Sequence, residues 1–151
     1  MPLDAVPHHG EPGRRYPLIV RLPDWSRRLL DFVEQNRELP LAWGERDGVV
    51  FAARAVAAMV GYEIWRPTWT DQAGVKAAVA AEGGISEAWT RRLGPPVYDW
   101  HALRCGDVAL MPVARGSITA VAFGDTWLCA PTPCSLALFP RDQAFIGWHV
   151  G

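Results

Sequence analysis

Few residues in this chain are of types that do covalent or metal chemistry, and one stretch organises them. "LAWGERDGVV", residues 41–50, has the form of a turn that delivers a side chain to the start of a helix. Gly44 suits the turn, Asp47 suits an N-cap, and Val49, Val50, Phe51 and Ala52 open an apolar helical run. A nucleophile there gains from the helix dipole and a nearby imidazole, which lower the pKa of a thiol. Gly48 holds that place, and glycine has nothing to attack with. Asp47 beside it then reads as a plain N-cap, contributing about 1 kcal/mol.

Other candidates are weaker. Cys105 follows His101 by four residues, a thiol and imidazole close in sequence. The competing role is that of a buried cysteine acting as a small hydrophobe. Cys129 and Cys134 flank "APTP" and suit either a hairpin cross-link or, with Cys105 and His149, a metal. Their spacing matches no zinc signature with paired close ligands, so no metal and no cofactor are expected. His8 and His9 read as a solvated loop, His149 in "GWHV" as an edge-strand residue, and Asp107 as the cap of a turn.

The elements that must position these residues fall in two halves. Residues 1–20 form an extended arm with prolines at 2, 7, 12 and 17. "DWSRRLLDFVEQNRE" then puts Trp25, Leu29, Phe32 and Val33 on one helical face, with Asp24 as cap and Pro40 as stop. "DGVVFAARAVAAMVG" is apolar almost all round, so it is the expected buried central helix, ended by Gly61. "TDQAGVKAAVAAEGG" is a third helix, capped by Thr70 or Asp71 and closed by Gly83 and Gly84; "SEAWTRRLG" is a short fourth, and "PPVYDW" a linker. From Cys105 onward, "DVALMPV", "SITAVAFG", "TWLCAP", "SLALFP" and "AFIGWHV" are β-prone runs between turn residues, with a hairpin at "FGDTW". Helices followed by an antiparallel meander give an α+β class, with N-terminal helices packed on a C-terminal sheet. The expected organisation is an arm over 1–20 and a single domain over 21–151.

Composition bounds the partners. With 151 residues, half of them hydrophobic and a net charge of −1, the chain reads as one globular domain with no electrostatic call on nucleic acid or an anionic membrane. Fourteen of the fifteen basic residues are arginine, which reads as base-composition bias rather than a phosphate-binding device. No run reaches the roughly 18 apolar residues that span a bilayer, the N-terminus lacks a secretory pattern, and three cysteines suit a reducing cytoplasm.

The order of parts resembles the NlpC/P60 fold of papain-like cysteine peptidases, in the compact branch of tailed phages and gene transfer agents. The family's tryptophan-glycine turn, aspartate and catalytic cysteine fall on Trp43, Gly44, Asp47 and Gly48. Its glycine-aspartate before the first core strand falls on Gly106 and Asp107, and its later glycine turn on Gly124 and Asp125. Counting back from that turn, the catalytic histidine falls on Ile118. The resemblance covers about Trp25 to Val150, and its order and spacing are more specific than its short motifs. It implies that Gly48 and Ile118 face one another in a cleft, within roughly 10 Å.

Both catalytic positions are lost, which implies a domain that keeps the scaffold without the chemistry. The expected function is a structural component of a phage-like tail tip or baseplate. The family implies a hub or distal-tail protein and a central fibre-like protein as neighbours, with assembly in the bacterial cytoplasm. The alternatives are an active peptidoglycan-cleaving endopeptidase or amidase with a rearranged dyad, and a binding module that uses the vestigial cleft. Candidate contact residues are Tyr16 on the arm and Trp65 and Trp69 in "YEIWRPTWT", either presented outward or packed on the domain itself.

Overall fold

The computed structural model describes residues 15–114, 116–129 and 136–151. Its described residues form four helices and a five-stranded antiparallel sheet, an α+β arrangement. The helices are α1 (Trp25–Asn36), α2 (Gly48–Val60), α3 (Gln72–Ala81) and α4 (Ile85–Leu93). The strands are β1 (Val108–Val113), β2 (Gly116–Phe123), β3 (Thr126–Cys129), β4 (Ala137–Pro140) and β5 (Ile146–Trp148).

Helix α2 starts and stops where its sequence says it should. The Asp47 side chain accepts from Val50 N at its start, and Gly61, left-handed, donates its N–H to Ala57 O at its end. Asp71, not Thr70, caps α3 by accepting from Gly74 N. In α1 the outcome differs. Asp24 makes no side-chain cap and pairs with Arg28 one turn on, and the helix ends at Asn36, short of Pro40. The Asn36 side chain donates to the Phe32 carbonyl there, so the helix closes on its own last turn.

The strands order as β4-β3-β2-β1-β5. The first four form a meander, and β5 returns to pair with β1, Ala109 opposite Gly147. In the "FGDTW" hairpin Phe123 pairs with Thr126, and Gly124 alone carries a positive φ, as a turn with glycine in its first central place requires. The expected linker does more than connect. Val97 pairs with Gly147 and covers the outer edge of β5.

Period-two alternation divides the sheet between two cores. Val108, Leu110, Val121 and Leu128 pack with the helices, around Leu29, Val56 and Met59. Ala109, Met111, Ala120, Ala122 and Trp127 face the other way, under Leu103 and Ala144. Residues 15–20 form neither helix nor strand, and Ile19 is buried in the helical core, so packing reaches back before residue 21. The remainder of the expected arm, with His8 and His9, lies outside the described residues, as does Cys134.

Candidate functional site

Asp47 is 1 % exposed, and its two oxygens organise the start of α2. One takes the N–H of Val50; the other takes the N–H of Gly44 at 2.7 Å and the indole N–H of Trp69 at 2.7 Å. The turn, the helix and the 62–70 loop are therefore locked by a single carboxylate. Gly44 is required twice over: φ is +81°, and a β-carbon there would lie 2.2 Å from the Trp69 carbonyl oxygen.

Gly48 has neither requirement. Its φ is not positive, and a β-carbon would meet only the Ile118 Cγ1, at an ordinary 3.8 Å. The two positions face one another, Gly48 at the start of α2 and Ile118 on β2. Both line a cleft of about 440 Å³. Trp43 and Leu41 of the turn form part of it, Val75, Lys76 and Val79 of α3 face it, and Ser117 and Thr119 extend the β2 side. Helix α3 has no buried residue, so it stands as a wall of this cleft more than as part of the core.

Trp65 and Trp69 do not point outward. They are 7 % and 6 % exposed and meet edge-to-face at 6.0 Å; Trp65 meets Trp89 at 5.2 Å, and Trp89 lies 6.5 Å from Trp148. Arg92 sits 3.8 Å over the Trp65 ring while forming a two-pronged pair with Glu82, whose carboxyl it holds below the usual range by hydrogen bonding. An indole has more apolar surface than a loop leaves exposed when a core lies within reach. These two residues are internal supports of the Asp47 lock, not contact anchors. Tyr16 is half-buried, with its β-carbon near Gly94 at the end of α4.

The alternative nucleophile has different company. His101 is exposed, hydrogen-bonds Asp99 through Nδ1 at 2.8 Å and stacks on Trp100 at 3.8 Å. That hydrogen bond holds the Asp99 carboxyl below its ordinary value. Cys105 instead lines a separate cavity with Arg21, Trp25 and Arg104, to which His101 does not contribute. Cys129 is buried in the sheet's second core, and burial pushes its thiol up to about 12. Among the described residues no three His, Cys, Asp or Glu side chains gather as a metal site.

Asp107 does more than cap a turn. Fully buried, it accepts from Arg104 N, Val150 N, the Arg21 guanidinium at 3.0 Å and His149 Nδ1 at 2.9 Å. Arg21 adds hydrogen bonds to the carbonyls of Cys105 and Val150. Sequence reasoning missed this hub, because nothing local marks Arg21 as the partner of a residue 86 positions on. It also missed Lys76, although the signal was present: Lys76 is the one lysine in an arginine chain.

No helix of the described residues is long and apolar enough to cross a membrane. A family model described as a domain of unknown function (DUF6950) matches residues 20–150. A search of curated proteins finds no match.

Proposed function

The chain belongs to the DUF6950 family, and we propose that it is a catalytically inactive NlpC/P60-like domain serving as a structural component of a phage-like tail tip or baseplate. The observation that carries the inactive reading is the meeting of Gly48 and Ile118 across one cleft. They are the positions to which the resemblance assigns cysteine and histidine. A thiol-dependent hydrolase needs a sulfur and an imidazole within hydrogen-bond reach, and the described residues that line this cleft supply neither. What remains is the scaffold around it: the Asp47 cap, the Gly44 turn and the buried helix. The place in a tail tip, with a hub or distal-tail protein and a central fibre-like protein as neighbours, rests on the resemblance.

Peptidoglycan sacculi incubated with the protein are expected to release no muropeptides. Release that disappears on Cys105→Ala would replace this reading with that of a cell-wall peptidase. Mass spectrometry of purified particles tests the location, since a tail component co-purifies with tails and a free enzyme does not. The cleft itself is tested by restoration. Gly48→Cys alone should leave turnover at background, because the facing side chain is Ile118, and Gly48→Cys with Ile118→His should recover a trace. Substantial turnover from the single change would reveal another base, His149 first, and would overturn the assignment of position 118.

A further inference from the structure

We propose that the cleft between α2 and α3 holds the C-terminal end of a partner protein, an apolar last residue with its free carboxylate on Lys76. The inference rests on the reading of this cleft as free of hydrolytic chemistry.

Sterics supply the first argument. Glycine at the first position of a helix is disfavoured relative to alanine, and at Gly48 the fold gives no return for it: no positive φ and no clash for a β-carbon. Its effect is to leave room at the mouth of the helix, where backbone can approach closely. Among the described residues no acceptor takes the N–H groups of Gly48 or Val49, and both residues line the cleft.

Charge supplies the second. Lys76 is exposed on α3, lines the cleft and has no ion pair among the described residues. Among the described residues that line the cleft the one carboxylate, Asp47, already takes three donors and is buried. Among the described residues, donors at the helix start and an unpaired ammonium thus face a lining with no free acceptor carboxylate, which fits an anion.

The walls supply the third. Leu41, Trp43, Val75, Val79, Ile85 and Ile118 make the lining mainly apolar. A ligand that uses both must therefore join an anionic group to an apolar one. The last residue of a chain does this on one α-carbon, whereas an internal acidic residue carries its charge on a polar side chain. A volume of about 440 Å³ is room for the last two or three residues, at the lower end of ligand clefts. Capture of a terminal carboxylate by backbone N–H groups and a cation is an established mode of peptide recognition.

The test uses calorimetry on the full chain with N-acetyl-Ala-Ala-Leu and N-acetyl-Ala-Ala-Phe, each as free acid and as C-terminal amide. The acids are expected to bind at least about tenfold more tightly than the amides. Lys76→Ala should bring the acids down to the amides without changing the amides, and Lys76 is exposed enough that its loss leaves the fold intact. Gly48→Leu should abolish binding of both, with a thermal transition no lower than that of the wild type as the control. Equal binding of acid and amide, or no binding by any of the four at about 5 mM, overturns the proposal. Tighter binding of a peptidoglycan stem tetrapeptide than of either acid also overturns it, by assigning the cleft to cell wall. Mass spectrometry of the mixtures separates the two readings: cleaved peptide defeats the inactive site, while intact peptide that does not bind defeats only this inference.

Discussion

Two glycines four positions apart behave as opposites, and a single methyl group tells them apart. Gly44→Ala drives a β-carbon into a backbone carbonyl at a positive φ, so it should cost about 3 kcal/mol or more. Gly48→Ala meets only the Ile118 Cγ1, at an ordinary contact distance of 3.8 Å, on a helical backbone, so it should raise stability by about 0.5 kcal/mol. Urea midpoints of the two variants check this, and equal effects would mean that the turn and the helix start are misplaced. Asp47 explains why the first glycine matters: moving the turn would cost the carboxylate its bonds to Gly44 and Trp69 together.

Among the elements, strand β3 carries a titration with a definite sign. Burial raises the Cys129 thiol from 9.0 to about 12, so the folded state holds that proton more tightly than the unfolded chain does. The associated stability is complete below the unfolded value and is lost as pH climbs from about 9 towards 12. At about pH 10.5 the wild type should have lost about 2 kcal/mol that Cys129→Ala does not lose, read as the difference between their urea midpoints at that pH and at about pH 8. Elements of this kind were largely legible in the sequence. The period of α2, its Asp47 and Gly61 ends, and the Gly124 hairpin are local signals, and the fold keeps them. What was not legible is whatever depends on distance along the chain. The pairing of β5 with β1 has no local mark, and the aromatic loop says nothing of the core that awaits Trp65 and Trp69. The facing of Gly48 and Ile118 was reachable only through the spacing of a resemblance, and Lys76 was hidden by reading the basic residues as a composition instead of one by one.

The whole molecule is closed by a charge. Arg21 stands before the first helix, yet it bonds the segment leading into β1 through Cys105 and Asp107 and the end of the described chain through Val150. Burial draws its pKa below the ordinary value, and Asp107 is the chief group that holds it charged. Arg21→Ala should therefore cost about 3 kcal/mol, because it leaves a fully buried carboxylate short of its cation. Hydrogen exchange gives the local readout, since the Val150 amide, which donates to Asp107, should lose protection first. A stability change under about 0.5 kcal/mol would show that the surface holds these segments without help from the pair.

The row of indoles from Trp69 through Trp65 and Trp89 to Trp148 has an optical consequence. Rings at these separations couple their electronic transitions and pass excitation among themselves, so they absorb and emit as a set. One end of that set hydrogen-bonds the carboxylate that shapes the cleft, and the other hydrogen-bonds Thr90 of α4. The protein therefore carries an intrinsic chromophore whose circular dichroism and emission are wired to the mouth of α2, and an occupant of the cleft announces itself in the ultraviolet without any label.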